Sequence, residues 1–299
     1  MEAIGIREKV MAEVKIGVVL AGAASKGVYE LGVMRALEDY FGIESIRCVS
    51  SASIGALVAQ TYGMGRSQDF VRIWTGLDKK HGSFFLAFSG KEEVLTQIDA
   101  VFAGDERLSY EHYVSVWNYT KHRVEYIPFH ELSGQRLQQY IRGAIAIPFF
   151  SGGTRIDGDR ILDGAFLDNI PAYPLVDKDL DFVFCVYFDN CNYVFESPDF
   201  DRKVIKLFDF PNSKRLELMN YDPKAFDSKA QYGYDYTMRT LKELFDGREP
   251  EQVYEAIAHM EQNRECTYKP RLTADIVLNN INVVTKKYAK RLSTREKKK

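Results

Sequence analysis

Residues 15–21 (Lys-Ile-Gly-Val-Val-Leu-Ala) form a nearly unbroken apolar run rich in β-branched side chains, the pattern of a parallel strand buried on both faces. Val28, Leu31, Met34 and Leu37 then recur at helical spacing, which predicts a helix over 27–40. A second strand signal (45–50) runs into a second helix signal (54–62) with almost no loop between them. Farther on, 68–104 reads as helical around the aromatic run Phe84-Phe85-Leu86-Ala87-Phe88, 110–129 as two strands, and 133–147 as a helix stopped by Pro148. Asp157-Gly158 between alternating residues predicts a tight hairpin within 154–162. The last two predicted strands are 181–188 and 203–210; beyond Pro211 the period is helical, over 228–245, 251–263 and 273–292. This alternation predicts an α/β fold, a mostly parallel central sheet flanked by helices, with 1–211 as the core and 212–299 as a helical carboxy-terminal extension.

With 299 residues, 45% of them hydrophobic, the chain can bury a substantial core, and a formal net charge of −2 disfavours a whole-surface nucleic-acid binder. Charge is concentrated at one end: between Lys286 and Lys299 there are eight basic residues and one acid, Glu296, which suits a solvated helix end or an electrostatic handle for anionic lipid. Cys48, Cys185, Cys191 and Cys266 show neither metal-ligand spacing nor a dense disulfide framework, so a reducing compartment is expected. Residues 1–15 lack an apolar signal-peptide core, and no apolar run approaches the roughly 18 residues of a spanning helix. A cytoplasmic protein is expected, with membrane contact at most peripheral.

Three short segments carry candidate chemistry. In Ser51-Ala52-Ser53-Ile54-Gly55, small residues flank a serine at the abrupt strand-to-helix junction, as a nucleophile elbow of the G-x-S-x-G type requires, although Ser51 stands where that pattern has Gly. The helix start adds orphan N–H groups and partial positive charge that favour an oxyanion; a plain N-cap serine has the same local sequence. Gly22-Ala23-Ala24-Ser25-Lys26-Gly27 lets successive backbone N–H groups converge on one oxygen, or simply makes a tight turn, and it is neither a Walker loop nor G-x-G-x-x-G. Lys26 reads as a counter-charge for a substrate phosphate or as a side chain extended into solvent. Asp163-Gly164-Ala165 puts a carboxylate at a strand end, suited to accept a serine proton, though Asp-Gly is also an ordinary turn.

In this order and setting the three segments resemble the patatin-like phospholipase family, in which G-G-G-x-(R/K)-G follows the first strand, the nucleophile lies in G-x-S-x-G and the base is the aspartate of D-G-(G/A). Residues 144–150 (Ala-Ile-Ala-Ile-Pro-Phe-Phe) and Asp168-Asn169-Ile170-Pro171 support the resemblance, which spans about 15–175. It implies a Ser53–Asp163 dyad, an oxyanion hole at Gly22, Ala23 and Ala24, and supporting roles for Lys26, Gly27, Ser51, Gly55 and Gly164. It also implies an acyl-serine intermediate, a lipid or acyl-ester substrate, and no metal or other cofactor. The sequence does not identify a protein partner. Ala23, Ala24 and Ser51 depart from family glycines; alanine keeps the backbone N–H but is strained wherever φ must be positive. Two alternatives stay open. The departures suit an impaired module that binds lipid or protein, and a Ser-Asp-His esterase would need His259, the only histidine after Asp163. The aromatic residues at 84–88 and 148–150 read as core or as the lip of an acyl channel.

Overall fold

A computed structural model describes residues 14–77, 92–104, 107–148, 150–189, 191–195, 197–207, 222–264 and 267–271. The aromatic run 84–88, Phe149, the expected boundary near Pro211, the predicted helix over 273–292 and the basic tail lie outside these residues.

The first elements follow the hydrophobic pattern: β1 (Ile16–Leu20), α1 (Gly27–Phe41), β2 (Ile46–Ala52) and α2 (Ile54–Gly63) alternate, and α3 (Ser67–Thr75) and α4 (Glu92–Val101) follow. Next come β3 (Glu111–Asn118), β4 (Arg123–Pro128) and α5 (Gly134–Ala144). The last of these stops short of the predicted 147, because Pro148 offers no N–H and its ring crowds the carbonyl four residues back, that of Ala144. The predicted hairpin forms from β5 (Thr154–Ile156) and β6 (Asp159–Asp163), with Asp157 and Gly158 at φ 50° and 86°, both left-handed as a tight primed turn demands. The chain continues through β7 (Phe182–Val186), β8 (Cys191–Phe195), a single turn α6 (Pro198–Asp201), β9 (Val204–Leu207), α7 (Phe226–Phe245), α8 (Pro250–Gln262) and β10 (Thr267–Arg271).

The main sheet has the order β5-β6-β3-β2-β1-β7-β9, with β4 added to β3. Its β3-β2-β1-β7-β9 part is parallel, and β4, β5 and β6 join antiparallel. β1 is buried throughout because both faces are covered. Ile16, Val18 and Leu20 pack with α1, α2 and α7 in the larger apolar cluster, whereas Val19 joins Ile170, Leu175, Val183 and Cys185 on the other face. Two strands were not predicted: β8 and β10 pair in a separate parallel sheet, so the segment after α8 is not wholly helical. Cys-Asn-Tyr-Val-Phe in β8 lacks period-two alternation, and its strand state depends on a partner distant in sequence.

Candidate active site

β3 brings the two candidate catalytic side chains together. Its residues 111–115 pair with β2 and its residues 116–118 with β6, while β4 occupies the opposite edge over 113–118. β2 and β6 therefore share one edge of β3 end to end and run toward each other. β2 ends at Ala52, opposite Ser115, and β6 ends at Asp163, opposite Val116. Ser53 and Asp163, distant in sequence, meet where the two carboxyl ends converge.

Ser53 has φ 54° and ψ −126°, a conformation that costs a non-glycine residue about 1–3 kcal/mol and persists only where the surroundings enforce it. It stands at the N-cap of α2 yet makes no capping hydrogen bond; its Oγ donates instead to Asp163 Oδ2 at 2.5 Å. The plain N-cap reading is therefore not what the side chain does. Asp163 is 3% exposed, and its other oxygen, Oδ1, accepts the Ala165 N–H at 2.9 Å. Its own N–H donates to the Ala146 carbonyl, which ties the 144–150 segment to the candidate base. Burial raises the Asp163 pKa to about 6, against the hydrogen bonds from Ser53 and Ala165, which favour the carboxylate.

The small-residue loop lies against this pair. An added Cβ on Gly22 would stand 2.5 Å from Asn169 Oδ1, 2.6 Å from Ala165 Cβ and 3.2 Å from Ser53 Cβ, so only glycine fits between the loop, the Asp163 turn and the elbow. Of the three expected oxyanion donors, Gly22 is already engaged: its N–H donates to the Asn169 carbonyl at 3.3 Å. Among the described hydrogen bonds, the N–H groups of Ala23 and Ala24 have no carbonyl acceptor. Ala23 has φ −120°, comfortable for alanine, but Ala24 has φ 46°, where the family glycine carries no Cβ penalty. Ala24→Gly is accordingly expected to raise stability by about 1 kcal/mol, the relief of left-handed strain exceeding glycine's extra chain entropy, in a thermal or urea unfolding comparison.

The remaining candidates divide into neighbours of the site and residues elsewhere. Gly27 abuts Ile54 at the start of α2, Gly55 abuts the Leu20 carbonyl at the end of β1, and Gly164 abuts the Ser115 backbone. Lys26 corrects the solvated reading: it is 2% exposed, with Nζ over the Phe188 ring at 5.9 Å. His259 is exposed on α8, its ring nitrogens near Asn263 Nδ2, and it makes no hydrogen bond with Ser53 or Asp163. The esterase order that required it is therefore not assembled. Phe150 is 53% exposed rather than core, as is Phe166 at 55%, three residues past Asp163 and stacked on Trp117. Sequence reasoning passed over His112, which meets Ser51 beneath the elbow, and Gln60, which meets the other ring nitrogen of His112, because nothing local marks an isolated His or Gln as part of a network.

A family model described as patatin-like phospholipase matches residues 18–176, more than half of the chain. The lysophospholipase nte1 of Neurospora crassa is 28% identical over 187 residues, 57% of this chain and 12% of that protein. Its counterpart in Meyerozyma guilliermondii is 25% identical over 193 residues, 60% of this chain and 13% of that one. The chain thus aligns with only about an eighth of these relatives' length. Among solved structures, VipD from Legionella pneumophila aligns with a TM-score of 0.46 at 16% identity, over 84% of this chain and 74% of that one. The type III effector protein ExoU aligns with a TM-score of 0.36 at 13% identity, over 76% and 53%. The matched segment runs from β1 through the loop, the elbow and Asp163, and the chain belongs to the patatin-like phospholipase family.

Proposed function

We propose that the protein hydrolyses carboxylic esters of lipids through a Ser53–Asp163 dyad and an acyl-serine intermediate. The observation that carries this reading is the 2.5 Å hydrogen bond from Ser53 Oγ to the buried Asp163 carboxylate, an arrangement of nucleophile and base within proton-transfer reach. Ser53 Oγ attacks the ester carbonyl carbon, its proton passes to Asp163 Oδ2, and the carbonyl electron pair moves to oxygen, toward the N–H groups of Ala23 and Ala24. Collapse of that oxyanion breaks the ester C–O bond, and the departing alcohol takes the proton from Asp163. Water then attacks the acyl carbon and gives a proton to Asp163. Ser53 leaves with that proton, and a fatty acid is released. The exposed Phe166, in the turn that follows Asp163, offers apolar surface to an acyl chain. Because the matched relatives are named lysophospholipases, a single-chain phospholipid is the first substrate to test.

Asp163 must be ionised to accept the serine proton, so its pKa of about 6 sets the acid limb of activity. Turnover of a lysophospholipid, and of a short-chain p-nitrophenyl ester, is expected to rise about tenfold per pH unit below 6 and to level off above it. Covalent labelling of Ser53 by a fluorophosphonate probe should follow the same limb. Folded protein that neither labels nor turns over at pH 8 would replace this reading with that of a lipid-binding module.

A further inference from the structure

Ser51 and His112 stand on the sheet face that α2 covers. Val49 pairs with His112 and Ser51 with Val114, and Val49 and Val114 belong to the apolar cluster beneath α2. Ser51 Oγ lies 2.7 Å from His112 Nε2, and His112 Nδ1 lies 2.8 Å from Gln60 Oε1 on α2. All three residues are buried. The amide oxygen of Gln60 can only accept, so Nδ1 carries the ring proton and Nε2 accepts the Ser51 hydroxyl. Burial, reinforced by the neighbouring His130, lowers the His112 pKa to about 3 and keeps the ring neutral in this tautomer at physiological pH.

The imidazole thus clamps the end of β2, just before Ser53, to a helix residue two turns beyond it, spanning both arms of the strained turn. We propose that Ser51, His112 and Gln60 are positioning residues that hold Ser53 at φ 54° with its hydroxyl on Asp163. Ser51, where the family pattern has glycine, then supplies a hydroxyl that this chain's elbow uses. The inference rests on the dyad reading above, since what it positions is the proposed nucleophile. Strain at such a residue persists only under constraint from its neighbours, and small misplacement of a reacting atom has large effects on rate.

The test measures the second-order rate constant for fluorophosphonate labelling, with kcat and KM for a p-nitrophenyl ester, all per labelled site so that misfolded protein does not count. Ser51→Ala and Gln60→Met are each expected to lower the labelling constant and kcat about tenfold with KM within twofold of wild type. The double variant should be no slower than the slower single one, because both act through one ring. Ser51→Thr, which keeps the hydroxyl, should label within threefold of wild type. Wild-type rates in Ser51→Ala and Gln60→Met, or a double variant whose losses multiply in full, would overturn the positioning role while leaving the dyad intact. Absence of labelling at Ser53 in wild-type protein would instead overturn the dyad reading, and this inference with it.

Discussion

Ser53→Ala and Asp163→Asn are each expected to reduce lipid ester turnover by at least about 10³-fold while leaving the protein folded. Ser53 Oγ has one hydrogen-bond acceptor among the described residues, Asp163 Oδ2, and no histidine stands between them. Alanine removes the atom that, in the proposed mechanism, forms the acyl bond. Asparagine keeps the shape and an oxygen for the Ala165 N–H, but takes up no proton at neutral pH. Stability distinguishes this loss from unfolding. The folded-state pKa of Asp163, about 6, lies above the ordinary carboxylate value, so the native state binds this proton more tightly than the unfolded chain does. Stability contributed by the protonated group is present at low pH and falls as pH rises toward about 6; above that, the buried carboxylate disfavours the fold by about 3 kcal/mol. Asp163→Asn should therefore melt at or above the wild-type temperature at pH 8. A folded variant retaining turnover within tenfold of wild type would remove the dyad from consideration.

Gly32→Ala, in α1 and outside the candidate loop, elbow and Asp163 turn, is expected to destabilise the protein by about 3 kcal/mol, lowering the melting temperature by roughly 5–10 °C. α1 and α7 cross in backbone contact there: an added Cβ on Gly32 would lie 1.9 Å from the Ala230 carbonyl oxygen and 2.6 Å from the Tyr234 nitrogen. Across the same contact, a Cβ on Gly233 would lie 2.2 Å from the Tyr29 oxygen. Both obstacles are main chain, so no rotamer change relieves them, and the helices must separate. Helix propensity alone points the other way, favouring alanine by about 1 kcal/mol, so the sign of the measured change separates packing from propensity. Gly152→Ala serves as a control, since its Cβ would meet nothing within 4 Å. A Gly32→Ala protein as stable as wild type would show that the crossing is looser than these distances imply.

Much of the architecture was legible because its signals are local. The apolar run at 15–21, the helical spacing after Gly27, the abrupt junction at Ser53 and Asp157-Gly158 each encode their state within a few residues. Strands β8 and β10 were not legible, because their pairing unites distant segments. The burial of Lys26 was not legible, because a lysine at a helix start does not announce that it packs against Phe188. The substitutions in the glycine loop were legible as departures, but their consequences differ, since only Ala24 of the two alanines takes a positive φ.

What the sequence alone determined is therefore the alternation of strands and helices and the residue types at three junctions, since turn chemistry and side-chain periodicity act over short range. The tertiary structure decided that Ser53 and Asp163 touch, because β2 and β6 converge on one edge of β3. It decided as well that Asp163 holds its proton up to about pH 6 and that His112 lies beneath the elbow, because burial and non-local contact depend on packing from across the chain.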